Sequence, residues 1–73
     1  MKILTKEILV VSEERFNVKN LEDWQIYFNF KENLDWQLTK LRTVLEKEIP
    51  HEKRKNLEYI DLRFSTFAPY KYK

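Results

Sequence analysis

The fold is decided by residues 24–30, which read WQIYFNF. Apolar and polar side chains alternate along this stretch, as they do in a strand that buries one face. The even-numbered positions, from Trp24 to Phe30, are all apolar and are predicted to face the core. The odd-numbered positions, from Gln25 to Asn29, are predicted to face away from it. The stretch therefore predicts a half-buried β-strand, the clearest in the chain.

Two more strands are predicted on the N-terminal side of this one. Residues 15–19, RFNVK, alternate in the same way, and residues 6–12 contain the aliphatic run ILVV. Because this run does not alternate, we expect its strand to be buried on both faces or covered by a helix. Short polar turns separate the three strands, which predicts an antiparallel meander. The chain has no glycine, so left-handed turn positions are expected at asparagine or aspartate, with these candidates: Asn17, Asn20, Asn29, Asn33 and Asn56.

One helix is predicted after the meander. Asn33 is suited to cap its N-terminus, and Pro50 ends it. Leucines recur at helical spacing and form a stripe that we expect to lie against one sheet face: Leu34, Leu38, Leu41 and Leu45. Polar and charged side chains are expected to cover the remaining surface: Lys40, Arg42, Thr43, Glu46 and Lys47.

Two strands are predicted after the helix. A charged connector at residues 51–56 leads into residues 57–64, LEYIDLRF, which alternate like a strand. Residues 67–72 form a final strand, with Tyr70 and Tyr72 on one side. Pro69 cannot donate a ladder hydrogen bond, so this strand is expected at an edge of the sheet. The predicted fold is α+β, with order β-β-β-α-β-β: a single antiparallel sheet, with one amphipathic helix on one face, that makes residues 1–73 one domain.

The composition limits the function classes. The 73 residues include no cysteine, which excludes a disulfide and a thiolate nucleophile, and the single histidine makes a zinc site improbable. A serine triad can be written with Ser12 or Ser65, His51 and Asp61, but no nucleophile-elbow motif supports it. No glycine-rich loop is present to hold a phosphate. We therefore predict a non-catalytic protein that uses no metal and no cofactor.

The charge balance bears on nucleic-acid binding. Fourteen Lys and Arg residues against twelve Asp and Glu residues give a formal net charge of +2. This is a weak basis for binding a phosphate backbone, which dominates such affinity. Tyr27 and Tyr59 could nevertheless stack on bases from the sheet, so a small nucleic-acid-binding module is the alternative function. A third hypothesis is an isolated structural domain without a ligand.

Residues 59–64, YIDLRF, resemble a strand of the bacterial FtsQ/DivIB cell-division family. Residues 15–18 followed by WQIYF are similar to a strand pair of that family, and the QLxxL pattern from residue 37 resembles its helix. The resemblance runs from about residue 8 to the C-terminus. Asp23 stands where the family often has glycine, and Ser65 and Thr66 stand where it often has Gly or Asn, which affects turn geometry.

The resemblance implies that this chain is the C-terminal β-domain of such a protein. Full members have an upstream membrane helix and a POTRA domain, so we expect either an excised piece of a longer protein or an unusually short one. Such proteins are scaffolds on the extracytoplasmic face of the cell membrane, and they bind the division proteins FtsB and FtsL. The implied mode is addition of a partner strand to the C-terminal edge. This implies the following partner-binding residues: Phe64, Ser65, Thr66, Phe67, Tyr70 and Tyr72.

An edge strand is also a suitable interaction site on physical grounds that do not depend on the family. Edge strands offer free N–H and C=O groups, and aromatic rings offer anchor area. Lys71 and Lys73 would limit indiscriminate pairing. We expect a monomer, although a free edge can also pair with a second copy of the chain. For Asp61 and Arg63 we favour a surface or cross-strand ion pair that fixes local geometry over direct contact with the partner.

Trp36 lies nearly opposite the leucine stripe. An exposed tryptophan would be a candidate hot spot for a partner. We favour the alternative, in which the first helical turn packs on the connection that follows Phe30.

Overall fold

The structure is a computed structural model that describes residues 5–73. It contains the following elements: β1 (Thr5–Val10), β2 (Arg15–Asn20), β3 (Gln25–Asn29), α1 (Leu34–Lys47), a short 3-10 helix (His51–Asn56), β4 (Leu57–Asp61) and β5 (Tyr70–Tyr72). The five strands form one sheet in the order β1-β2-β3-β4-β5. The α+β fold and the predicted order of elements are confirmed. The single domain predicted for residues 1–73 includes residues 1–4, which lie outside the described residues.

The sheet is mixed, so the prediction of a purely antiparallel sheet is wrong for one strand pair. β3 and β4 run parallel, with Ile26 opposite Ile60, whereas the other neighbouring pairs are antiparallel. Parallel neighbours need a long crossover, and here α1 with the 3-10 helix provides it. Side chains alternate in the same way in both kinds of pairing, so the sequence pattern could not distinguish them.

The hydrophobic core lies between α1 and the sheet face that carries Ile26, Phe28 and Ile60. Its buried apolar residues are Trp24, Ile26, Phe28, Leu41, Val44, Leu45, Ile49, Leu57, Ile60 and Leu62. Trp24 is only 2% exposed, which confirms its predicted place in the core. Phe30, predicted to share this face, is exposed because β3 ends before it.

The buried face of α1 differs from the predicted leucine stripe. Leu41 and Leu45 are buried as predicted, but Leu34 and Leu38 are exposed. Two polar residues, Gln37 and Lys40, are buried at the positions that complete the face. The stripe prediction is therefore wrong for the first half of the helix, where the helix meets backbone groups of the sheet rather than apolar side chains.

Gln37 shows why a polar residue belongs on that face. Its side-chain oxygen accepts a hydrogen bond from the Asn29 N–H at 2.8 Å, and its Nε2 donates to the Asn29 carbonyl at 3.0 Å. Asn29 is the last residue of β3, where the ladder ends and backbone groups need other partners. The side chain of Gln37 therefore joins the helix to the end of the central strand.

Asparagines determine the helix start and one turn. Asn33 Oδ1 accepts a hydrogen bond from the Trp36 N–H at 2.9 Å, which confirms the predicted N-cap. Asn20 Oδ1 accepts from the N–H groups of Glu22 and Trp24 in the β2–β3 turn. Among the described residues the left-handed conformation occurs at Asp23, with φ of 69°, and not at any of the predicted asparagines. The side chains of Asn20, Asn29 and Asn33 instead accept hydrogen bonds from nearby backbone N–H groups while their own backbones keep negative φ.

β1 is an exposed edge strand, so the predicted burial of its aliphatic run is wrong. All six of its residues are exposed, and Val10 is 72% exposed. α1 packs over β3, and the outermost strand on this side is left exposed. None of the helices formed by residues 5–73 is long and apolar enough to span a bilayer.

Candidate functional site at the C-terminal sheet edge

β5 lies at one edge of the sheet, as predicted, but it is shorter than predicted. It spans Tyr70–Tyr72 instead of residues 67–72, and β4 ends at Asp61 instead of Phe64. Residues 62–69 form the connecting segment between the two strands. Four of the predicted partner-binding residues lie in this segment: Phe64, Ser65, Thr66 and Phe67. The structure thus places only Tyr70 and Tyr72 on the edge strand itself.

The hydrogen bonds to β4 show which backbone groups of the edge are free to pair. The Pro69 carbonyl accepts from the Asp61 N–H at 2.8 Å, and the Lys73 N–H also bonds inward, at 2.7 Å. In an antiparallel pair, inward and outward residues alternate. The backbone groups of Tyr70 and Tyr72 therefore point away from the sheet, where a further strand would lie.

The side chains of β5 divide between the two faces of the sheet. Tyr70 and Tyr72 both pack against the core, with ring centres 5.8 Å apart and an edge-to-face arrangement, which confirms that they share a side. Lys71 lies on the opposite face, where its Nζ is 3.4 Å from a carboxylate oxygen of Glu58. The edge thus carries aromatic rings on the sheet face that packs against the core and a Lys–Glu ion pair on the opposite sheet face.

The connecting segment is tied to α1 by two side chains. Trp36 Nε1 donates to the Ser65 carbonyl at 2.7 Å. Lys40 Nζ donates to the Leu62 carbonyl at 3.0 Å and also to the Phe64 carbonyl. Trp36 therefore lies over the connecting segment and is 48% exposed, so the predicted packing on the connection after Phe30 is wrong for this residue. Gln37, in the same helical turn, does donate to the Glu32 carbonyl of that connection.

Sequence reasoning missed the role of Lys40, which was assigned to the exposed surface. The signal that could have found it is its spacing from neighbouring buried positions. Lys40 lies three residues after Gln37 and four before Val44, on one helical face with both. A lysine at a core position indicates that main-chain or acidic acceptors lie opposite it.

A groove of about 260 Å³ lies between α1 and residues 66–68. Its lining includes Trp36, Thr43 and Val44 from the helix and Phe67 from the connecting segment. The exposed rings of Phe64 and Phe67 stack with centres 4.7 Å apart. Exposed aromatic rings therefore collect on the part of the chain that leads into β5.

Asp61 and Arg63 form an ion pair where β4 ends, as predicted, but the pair joins residues of one segment rather than two strands, and Asp61 is buried rather than at the surface. Arg63 donates from Nη2 to Asp61 Oδ2 at 2.7 Å and from Nε to Oδ1 at 2.9 Å, and its backbone N–H also donates to Oδ1. Burial by itself would raise the pKa of the Asp61 carboxyl, but the bonds from Arg63 outweigh burial, and the pKa is lowered. The carboxylate thus fixes the backbone at the start of the connecting segment.

We expect this carboxylate to make stability depend on pH. Its folded pKa lies below its unfolded pKa of about 3.9, so its contribution is present above that value and is lost as pH falls through the folded pKa. Urea unfolding of the wild-type chain and of Asp61→Asn, from neutral pH down to about pH 2, measures this. The variant should be less stable at neutral pH and lose less stability in acid. Equal acid losses in both proteins would contradict this expectation.

The open face of the sheet carries the tyrosines of the nucleic-acid alternative. The rings of Tyr27 and Tyr59 stack on each other with centres 4.9 Å apart, and the Arg15 guanidinium lies 4.4 Å from the Tyr27 ring centre. Arg15 Nε also donates to Asn17, whose Nδ2 donates to Gln25. These groups bond to one another, so this face offers bases less free ring surface than the sequence suggested.

The C-terminal edge thus offers backbone groups and aromatic rings for binding. Among residues 5–73, no group of three or more histidine and carboxylate side chains is arranged to hold a metal ion. Comparisons with known proteins found no family model, no curated protein and no solved structure that matches this chain.

Proposed function

We propose that this chain is a protein-interaction module that receives a strand of a partner protein on the outer edge of β5. One observation carries the proposal: the backbone groups of Tyr70 and Tyr72 point outward from a sheet edge. In strand addition, such groups supply main-chain hydrogen bonds, and pockets for alternate side chains supply specificity.

The surroundings of β5 favour this edge over the edge at β1. Hot spots of interfaces are enriched in tryptophan and tyrosine, whereas exposed valine and leucine contribute less often. Exposed or half-buried aromatic residues lie on or beside β5: Trp36, Phe64, Phe67, Tyr70 and Tyr72. The exposed apolar side chains of β1 are all aliphatic.

The resemblance of residues 59–64 to the FtsQ/DivIB family favours a particular version of this proposal. In that version the module belongs to a bacterial division scaffold on the extracytoplasmic face of the membrane. Its partner strand then comes from an FtsB-like or FtsL-like protein. This version rests on the resemblance alone.

A substitution at Tyr72 tests strand addition directly. Proline is tolerated on an edge strand where its missing N–H faces solvent, so Tyr72→Pro should fold. It removes one outward donor, whereas Tyr72→Ala removes the same side chain and keeps the donor. We expect Tyr72→Pro to bind a cognate FtsB-type peptide about fivefold to tenfold more weakly than Tyr72→Ala, the loss of about one hydrogen bond. Backbone amide NMR titration measures both affinities.

The same titration locates the interface. Shifts centred on residues 70–72, with newly slow-exchanging amides, would support the proposal. Equal affinities of the two Tyr72 variants would rule out pairing through this donor, and shifts centred on β1 would move the site to the other edge. A labelled single-stranded oligonucleotide at low salt tests the nucleic-acid alternative, which requires saturable, salt-sensitive binding.

A further inference from the structure

Lys40 is a buried cation with an unusual set of partners. It is only 7% exposed, and its described hydrogen bonds go to main-chain carbonyls, those of Leu62 and Phe64. Asp61, whose negative charge acts on Lys40, is already engaged by Arg63. The Lys40 ammonium therefore donates hydrogen bonds to the backbone of the connecting segment instead of forming an ion pair.

Burying this ammonium has a cost that its contacts must offset. Burial lowers the pKa of Lys40, while the charges of Asp61 and Glu32 oppose that shift. A buried charge is tolerated when its N–H groups find acceptors, and an ammonium has three such groups. The two carbonyls lie two residues apart, just after β4 has ended. Lys40 thus supplies donors to carbonyls that have left the strand.

We propose that Lys40 is a positioning residue: it fixes the connecting segment, residues 62–69, and thereby holds β5 ready for a partner strand. The first half of this proposal, that Lys40 fixes residues 62–69, concerns the chain alone. The second half, the effect on binding, rests on the proposed function.

The geometry links the ammonium to the edge through a short stretch of chain. Residues 62–69 begin at the carbonyls that Lys40 holds and end at Pro69, whose carbonyl accepts from the Asp61 N–H at 2.8 Å. β5 has only three residues, so few hydrogen bonds of its own fix it in place. A segment that is already ordered loses less conformational entropy when a partner binds. Lys40 therefore lowers the entropic cost of binding at β5.

Amide hydrogen exchange tests the first half without any partner. In Lys40→Met, which keeps the length and apolar stem, the hydrogen-bonded amides of Asp61, Arg63 and Lys73 at the ends of this region should exchange about tenfold faster, since hydrogen bonds to a charged donor are lost. Amides of β2 and β3 should exchange at the wild-type rate. Lys40→Arg keeps a cation that can donate to both carbonyls and should restore slow exchange. Lys47→Met, an exposed lysine of the same helix, is the matched control and should change nothing.

The outcomes are distinct. Unchanged exchange at the amides of Asp61, Arg63 and Lys73 in Lys40→Met, or a uniform rise across the whole sheet, would overturn the positioning role. If Lys40→Met does not fold, Lys40→Gln, which keeps one neutral donor group, gives the same regional comparison with a smaller loss. Failure of Lys40→Arg to restore protection would likewise count against a role for the cation.

Peptide binding then tests the second half. If the wild-type chain binds an FtsB-type peptide, folded Lys40→Met should bind it about tenfold more weakly, and Lys47→Met should bind it equally well. Equal binding by Lys40→Met would overturn the link to the edge. If the wild-type chain binds no peptide while exchange still rises regionally, the proposed function fails and the fixation of residues 62–69 by Lys40 stands.

Discussion

Replacing Trp24 with alanine is expected to lower the free energy of unfolding by about 3–5 kcal/mol. Trp24 is 2% exposed and belongs to the core cluster beneath α1. Its removal therefore leaves a large apolar cavity that water does not fill favourably. Small domains have a total stability of about 5–15 kcal/mol, and a 73-residue chain lies at the low end. We therefore expect a substantial unfolded population in Trp24→Ala at room temperature.

The chain contains its own matched control, because it has two tryptophans. Trp36 is 48% exposed, and Trp36→Ala removes part of the groove lining and one hydrogen bond to Ser65. Its expected cost is about 0.5–1.5 kcal/mol. Urea unfolding monitored by circular dichroism measures both variants on the same scale. Similar losses for the two substitutions would contradict the described core.

Exchanging Gln37 for leucine is expected to destabilise the protein by about 2–4 kcal/mol, although it extends the leucine pattern of the helix. Gln37 is 1% exposed and bonds both the N–H and the carbonyl of Asn29. Leucine would leave both groups buried without partners, and each such group costs about 1–3 kcal/mol. A more apolar helix face would thus make a less stable protein.

Leu38→Gln is the matched control for this prediction. Leu38 is 42% exposed, so a change to glutamine there should alter stability by less than about 1 kcal/mol. Thermal and urea unfolding of both single variants give the comparison. If Leu38→Gln were the more damaging of the two, α1 would have to present its predicted leucine stripe to the core, contrary to the structure.

The strands and the core were predictable because the alternation of apolar and polar residues along the sequence indicates them. Trp24, Ile26 and Phe28 alternate with polar residues and are buried as expected, and the helix start at Asn33 follows from a local cap. The parallel pairing of β3 and β4 was not predictable, because it depends on where α1 carries the chain rather than on any local pattern.

The exposure of β1 was missed for a related reason. An unbroken aliphatic run is typical of a buried strand, but burial depends on which strands α1 covers. The same limit applies to α1 itself. Hydrophobic periodicity identified the helix, yet Gln37 and Lys40 are buried because backbone groups of other elements lie opposite them.

The candidate site was predictable in position but not in detail. Pro69 correctly indicated an edge strand at the C-terminus, because proline cannot donate to a neighbouring strand. Periodicity could not show that the chain leaves β4 at Asp61, since the alternation of apolar and polar residues continues to Phe64. The contacts of Lys40 and Trp36 with the connecting segment are long-range in sequence, so helical spacing could place Lys40 on the buried face but could not identify its partners.

The parallel pair of β3 and β4 also bears on the order in which the chain folds. β1, β2 and β3 meet through short turns, whereas β4 reaches β3 only after α1 has formed the crossover. Contacts between distant residues form more slowly than local ones, because a longer loop must close first. We therefore expect the N-terminal hairpins to form early and β5 to join last. A chain still emerging from the ribosome would have a nascent sheet but would not yet have the β5 edge at which we propose that a partner strand pairs.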